Sequence, residues 1–174
     1  ASTIDISVDD IKVGEDATIT VSVPSDATGS VTITVNGKDY TVAIKDGKAV
    51  QPISDLKEGV YDVSVRYDGD NNYNNASNTS KFTVSKITPV MDVTTDNIVF
   101  GGDLIISALL PSDIDGEVII TVDGKEYTVN VVNGKVTKPI SGLDAGDHTI
   151  VVKYNGNDKY NSVEVTKTIN VAKA

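Results

Sequence analysis

Displacing the sequence by 87 positions lays it on itself without a gap, and 34 of the 87 aligned pairs are identical. Pro24-Ser25-Asp26 falls on Pro111-Ser112-Asp113, Gly47-Lys48 on Gly134-Lys135, Pro52-Ile53-Ser54 on Pro139-Ile140-Ser141, and Tyr73-Asn74 on Tyr160-Asn161. A chain that repeats itself this way is a tandem array of one small domain, with residues 1–86 as the first repeat and 87–174 as the second. Each repeat is near the lower end of domain size and must close a core of its own.

Cysteine is absent, so no disulfide helps that closure. The net charge of −10 argues against nucleic acid, because phosphate binding needs clustered Lys and Arg, and Arg66 is the only arginine. An acidic surface keeps an extended array soluble and attracts divalent cations. No run of about 18 apolar residues is present to span a membrane, and no signal peptide remains at the Ala1 end, as expected for a mature fragment of a longer secreted chain.

Apolar and polar residues alternate at period two through most of each repeat, with turn residues closing each run. The first repeat is predicted to form strands near 3–8, 17–23, 30–36, 39–45, 48–53, 60–67 and 78–84. About seven antiparallel strands make a β-sandwich, so the expected class is all-β with two sandwiches in tandem. Asn36-Gly37 and Asp46-Gly47 are hairpin signals, since both central positions of a type I′ turn need positive φ. Their counterparts, Asp123-Gly124 and Asn133-Gly134, exchange Asn and Asp and keep Gly. The alternation points Ala17, Ile19, Val21 and Val23 inward, then Val31, Ile33 and Val35, then Tyr40, Val42 and Ile44, and finally Tyr61, Val63, Val65 and Tyr67. Thr18, Thr20, Thr32, Thr34 and Ser64 face water. At the junction Ser85-Lys86-Ile87-Thr88-Pro89, Pro89 biases Thr88 toward an extended backbone, and a semi-rigid rod is expected.

The stretch Leu56-x-x-Gly59-x-Tyr61-x-Val63-x-Val65-x-Tyr67-x-Gly69-Asp70-x-x-Tyr73 resembles the closing segment of the Ig-like repeats strung along surface and adhesin-like proteins of bacteria and methanogenic archaea. The second repeat carries it as Leu143-x-x-Gly146-x-His148-x-Ile150-x-Val152-x-Tyr154-x-Gly156-Asn157-x-x-Tyr160. The resemblance runs over essentially the whole chain, once per repeat. It implies Ig-like sandwiches in an extracellular or cell-surface protein, and no shared catalytic residue. Tyr61 has the look of a tyrosine corner, a hydroxyl bonding back to the preceding loop, and His148 stands in its place in the second repeat, where it would make that domain slightly pH-sensitive.

No catalytic constellation is complete: there is no second His for a zinc site, no GxSxG, no phosphate loop and no HExxH. No catalytic residue and no required cofactor is therefore expected. The loop Asp68-Gly69-Asp70-Asn71-Asn72-Tyr73-Asn74 concentrates oxygen atoms but lacks the EF-hand spacing, and reads first as an Asx-rich turn. If the chain enters each sandwich at one pole and leaves at the other, the junction gathers Asp9, Asp10, Glu15, Asp16, Asp55 and Glu58 against Asp113, Asp115 and Asp158. Such carboxylates either stay solvated and splay the joint or share an optional calcium ion that stiffens it. Asn75-Ala76-Ser77 and Asn78-Thr79-Ser80 fit the N-glycosylation sequon. No lysine falls at an inward position to form an internal isopeptide bond.

Thr18, Ser22, Thr32 and Ser64 become Ile105, Leu109, Ile119 and Val151 in the second repeat. Ile119 and Val151, expected on neighbouring strands of one sheet, are either scattered exposed aliphatics or a contact patch for a partner. The leading expectation is a non-enzymatic segment of a cell-surface adhesin-like protein, a rod-like spacer or presenter whose partners are neighbouring repeats. Two rivals make different demands. One is a module gripping glycan, cell-wall polymer or a surface protein through pole loops 24–29, 45–48 and 68–77, with Asp70, Asn72 and Tyr73 as contacts. The other is an accessory module of a secreted wall-degrading enzyme.

Overall fold

The computed structural model describes residues 3–174, and its chain divides into two units at Ile87 and Thr88. The first unit has strands β1 (Asp5–Ser7), β2 (Ile11–Lys12), β3 (Ala17–Ser22), β4 (Ser30–Val35), β5 (Lys38–Ala43), β6 (Lys48–Ile53), β7 (Gly59–Tyr67) and β8 (Ala76–Ser85). They form a three-stranded sheet ordered β1-β3-β6 and a five-stranded sheet ordered β2-β8-β7-β4-β5. The second unit repeats the plan with β9 (Asp92–Thr94), β10 (Ile98–Val99), β11 (Leu104–Leu109), β12 (Gly116–Val122), β13 (Lys125–Val131), β14 (Lys135–Ile140), β15 (Gly146–Tyr154) and β16 (Val163–Ala172). Its sheets are β14-β11-β9 and β10-β16-β15-β12-β13.

The expected first strand, 3–8, is shorter than the alternation suggested, and the chain then crosses to the other sheet. β1 pairs antiparallel with β3, whereas β2 pairs parallel with β8, so each unit holds eight strands and one pair in it is parallel. The crossing is fixed by Asp10, whose carboxylate accepts the Thr83 N–H at 2.8 Å; in the second unit Asn97 accepts the Asn170 N–H at 3.1 Å. A short polar side chain thus bonds a neighbouring backbone and ends one ladder while opening the next.

All four Asx-Gly turns have positive φ at both central residues, from Asn36 at 46° and Gly37 at 88° to Asn133 at 51° and Gly134 at 76°. Asp46-Gly47 closes a local hairpin with a single bridge, Lys45↔Lys48, and β5 and β6 then part into different sheets. The turn is held instead by β3, whose end donates Val23 N–H to the Gly47 carbonyl at 2.8 Å. A hairpin signal here marks a change of layer.

Between the sheets lie Ile19, Ile33 and Val84, fully buried, with Val31, Val63, Val65, Tyr67 and Phe82 at 1% exposure. Each large aliphatic or aromatic side chain withdrawn this way contributes roughly 1.5–3 kcal/mol. Val23, Tyr40, Val42, Ile44 and Tyr61 point inward as expected but stay half-buried, because the core does not reach the sheet edge or the poles. Phe82 stacks on Tyr61 with ring centroids 5.2 Å apart. Tyrosines apart, no polar or charged side chain is buried among the described residues.

Two glycines of like φ separate backbone cost from crowding. At Gly37 a Cβ meets nothing within 4 Å, whereas at Gly47 it meets the Val23 carbonyl oxygen at 2.8 Å and Ser25 Cα at 2.9 Å. Gly37→Ala is expected to cost about 1 kcal/mol from φ alone, and Gly47→Ala about 2–3 kcal/mol because overlap with backbone is added. Urea unfolding of the two variants measures this, and equal losses would contradict it.

Candidate functional site

The pole loops of the first unit are where the sequence concentrates Asp, Asn and Tyr, and the structure turns most of those groups on one another. The Asp70 carboxylate accepts four hydrogen bonds: from Thr28 N–H at 2.9 Å, Thr28 Oγ1 at 3.1 Å, Asn72 N–H at 2.7 Å and Tyr73 N–H at 2.8 Å. Donation from the Thr28 and Asn72 backbone holds its carboxyl down to about 2. Tyr73 donates its hydroxyl to the Asp26 carboxylate, which pushes that phenol up from its ordinary value. Tyr67 reaches the Thr28 carbonyl at 3.0 Å. Asp70 and Tyr73 therefore clamp loop 68–77 onto loop 24–29, and of the three expected contacts Asn72 is the one whose side chain is left exposed and uncommitted.

The second unit solves the same pole differently. Asn157 replaces Asp70 and accepts only from its own turn, the Lys159 and Tyr160 N–H groups at 2.8 and 2.7 Å. Asp113 takes over, accepting from Lys159 Nζ at 2.8 Å and the Tyr160 hydroxyl at 2.6 Å, and those two donors draw its carboxyl below the usual range. The Tyr154 hydroxyl, at the place of Tyr67, is buried with no hydrogen bond of good geometry among the described residues, and burial pushes it up.

At the other pole Tyr61 donates to the Lys57 carbonyl at 2.8 Å, the bond of a tyrosine corner. Nearby, the Asn36 side chain accepts the Asp62 N–H at 2.8 Å. In the second unit both residues change together. His148 Nε2 lies 2.7 Å from the Asp144 carbonyl, and its Nδ1 meets the carboxylate of Asp123, the counterpart of Asn36, which also takes the Thr149 N–H at 3.0 Å. Two acceptors on the two ring nitrogens require two N–H donors, which is the imidazolium. The Asp144 carbonyl and the Asp123 carboxylate accordingly raise His148, while His148 and Thr149 lower Asp123.

The remaining sequence-predicted residues lie as follows. Asp9, Asp16, Asp55 and Glu58 sit exposed on loops at the pole where the first unit's last strand ends. Asp113, Asp115 and Asp158 lie exposed on loops at the pole where the second unit begins, with Asp113 already bonded to Lys159 and Tyr160. Within either unit, no three acidic or histidine side chains among the described residues converge on a point that could hold a metal ion. Of the sequon asparagines, Asn78 donates its amide to the Ile4 carbonyl at 2.8 Å, and Asn75 is exposed. Ile119 and Val151 lie half-buried on the adjacent strands β12 and β15, diagonal neighbours two residues out of register. Ile105 and Leu109, 45% and 51% exposed, belong to the opposite sheet, so the four substituted aliphatics divide between two faces.

One surface was not singled out from the sequence. The outer face of the first unit's five-stranded sheet carries two depressions of about 590 and 410 Å³ that share Thr34, Ser64 and Thr79. The available signal was the difference between repeats at outward positions, where Asp62 and Lys81 become Thr149 and Thr168.

Two sandwiches of this strand order, each with a parallel pair between its terminal strands, define the class of Ig-like modules. Residues 5–85, which make up the first repeat, match the bacterial Ig-like domain (group 3) family. Over the whole chain, solved structures with the same kind of fold include the fibronectin(III)-like modules of CbhA from Clostridium thermocellum, at 17% identity, covering 99% of this chain and 95% of that one with a TM-score of 0.41. A 1.5-MDa bacterial ice-binding adhesin is 18% identical over 98% of this chain and 64% of its own, with a TM-score of 0.41. An I-band fragment of titin is 14% identical over 99% and 66%, also at 0.41. Likenesses this distant concern the fold alone. No curated protein matches the sequence.

Two titrations follow from these sites. The Asp70 carboxyl resonance is expected to titrate at about 2; its lowered pKa stabilises the first unit above about pH 4, an effect lost as pH falls through the folded value. A midpoint near 4 would contradict the clamp. His148, raised above 6.5, stabilises the second unit below that pH, and the gain disappears as pH rises through the folded value. Asp123, lowered, adds stability that is lost only in acid, so the second unit peaks between about pH 4 and 6.5. The joint change His148→Tyr with Asp123→Asn restores the first repeat's pair and should flatten the neutral part of the melting profile, a difference on the order of 1 kcal/mol. An unchanged slope would refute the assignment.

Proposed function

We propose that this chain is a non-catalytic segment of an extracellular, cell-surface adhesin-like protein, in which it spaces or presents a binding end and meets neighbouring repeats as partners. The observation that carries the reading is how the terminal strands of each unit are paired. β2 lies near the start of the first unit and runs parallel to β8 at its end, with Ile11↔Val84 and Lys12↔Ser85 in register and Val13 N–H on the Ser85 carbonyl at 2.9 Å. The second unit repeats it with Ile98↔Val171, Val99↔Ala172 and Phe100 N–H on the Ala172 carbonyl at 2.7 Å.

Pulling the ends of such a unit draws the first strand toward its N-terminus and the last toward its C-terminus. In a parallel pair those directions oppose, so the hydrogen bonds are sheared together instead of opening one after another. A segment that must transmit tension between a cell and whatever it adheres to benefits from this geometry. The polar pole residues Asp70, Tyr73, Tyr61 and Asp113 spend their hydrogen bonds inside their own unit, which suits a module built to persist. Match to a bacterial Ig-like family supports a surface setting.

Stretching single molecules of the chain should show two separate unfolding events, each lengthening it by roughly 250–300 Å, the extended length of about 87 residues less the folded span. Loss of the second event, or extension without measurable resistance, would sink the reading.

A further inference from the structure

We propose that the outer face of the first unit's five-stranded sheet is a binding groove for an uncharged, hydroxyl-rich oligosaccharide. The site is independent of the force-bearing role above, since it uses none of the bonds between β2 and β8.

The two depressions on this face are continuous through Thr34, Ser64 and Thr79, and a smaller one of about 250 Å³ extends them past Arg66. The two larger depressions each fall in the volume range of small-ligand sites. The lining chemistry restricts what fits. Ser64 and Thr79 each donate and accept, Asp62 only accepts, and Lys81 only donates. Asp62 and Lys81 are a cross-strand pair, β7 to β8, yet their side chains form no ion pair, and neither side chain has a hydrogen bond among the described residues. A free carboxylate and a free ammonium thus flank a row of hydroxyls.

A ligand seated there must itself alternate donors and acceptors along an extended path, and vicinal sugar hydroxyls do so. No large exposed apolar side chain lines the depressions to anchor an amphipathic peptide; Val60, 59% exposed, lies beyond them on the same face. It pairs Arg66 and Lys81 with Asp39 and Asp62, so it offers no net positive charge to an anionic polymer on a chain of net charge −10. Arg66 is additionally held toward Asp68 at 3.2 Å.

The second unit is a built-in control. On the same strands in the same register, Thr32, Asp62, Ser64 and Lys81 become Ile119, Thr149, Val151 and Thr168. Aliphatic branches replace hydroxyls, and both charges are gone. Because each substituted residue already sits in a folded copy of the domain, grafting them back tests binding without risking the fold.

The experiment records amide NMR spectra of the intact chain titrated with β-1,4-glucan, β-1,4-N-acetylglucosamine and α-mannan hexasaccharides. One of them is expected to give saturable shifts centred on Ser64, Thr79 and Lys81, with none at the matching positions of the second unit. The pairs Thr32→Ile/Ser64→Val and Asp62→Thr/Lys81→Thr should each weaken binding at least tenfold while leaving the melting temperature unchanged. Absence of saturable shifts with all three sugars overturns the proposal. Shifts that gather on loops 24–29 and 68–77 overturn it too, and place recognition at the pole. Binding that survives both pairs of substitutions does the same. None of these results bears on the two-step unfolding under force, which tests the spacer reading separately.

Discussion

Everything in these domains depends on burying one face of each strand between two sheets, with neither a disulfide nor a tryptophan to assist. Ile19, Ile33, Val63 and Val65 do this in the first unit, and Ile106, Ile120, Ile150 and Val152 in the second, all at 1% exposure or less. Since the period of a strand is two, that burial also commits every intervening residue to solvent. The outer faces are therefore free of duty to the core. They are where the two repeats diverge most usefully, and where a binding surface can be written without disturbing the fold.

The repeats form a natural pair of variants on one backbone, and their polar contacts change in sets. Asn36 with Tyr61 becomes Asp123 with His148, keeping a side-chain acceptor for the facing strand and a donor for the preceding loop, and adding an ion pair. Asp70 with Thr28 becomes Asn157 with Asp115, and the loop is fastened through Asp113 instead. These exchanges keep each end of the sandwich tied together and differ in how they respond to pH. The Tyr154 hydroxyl, buried with no hydrogen bond of good geometry among the described residues, is where the rewiring left a group behind, since Tyr67 still has the Thr28 carbonyl.

Functionally, the poles and the faces have different roles. Pole residues that looked like ligands in the sequence, Asp70 and Tyr73 above all, are fasteners, with bonding capacity already engaged. The sheet face of the first unit keeps unengaged charges beside hydroxyls in a concave setting. The two proposed roles do not compete for bonds: the terminal pair uses the backbone hydrogen bonds between β2 and β8, and the polar face uses outward side chains of β4, β7 and β8.

The sequence by itself determined the repeat, the all-β class, the inward residues and the four Asx-Gly turns, because period-two alternation and positive φ are local demands that leave local marks. It also placed the tyrosine corner at Tyr61. Only the tertiary structure decided that the first strand splits and changes sheet at Asp10, that β2 runs parallel to β8, and that the Asp46-Gly47 turn separates layers. These depend on which distant backbone a short side chain or a strand edge meets, here Thr83, Ser85 and Val23, and separation along the chain carries no trace of that meeting. The same reason hid the polar face: Asp62 and Lys81 are ordinary solvent-facing residues in the sequence, and they come together only because antiparallel pairing sets them side by side.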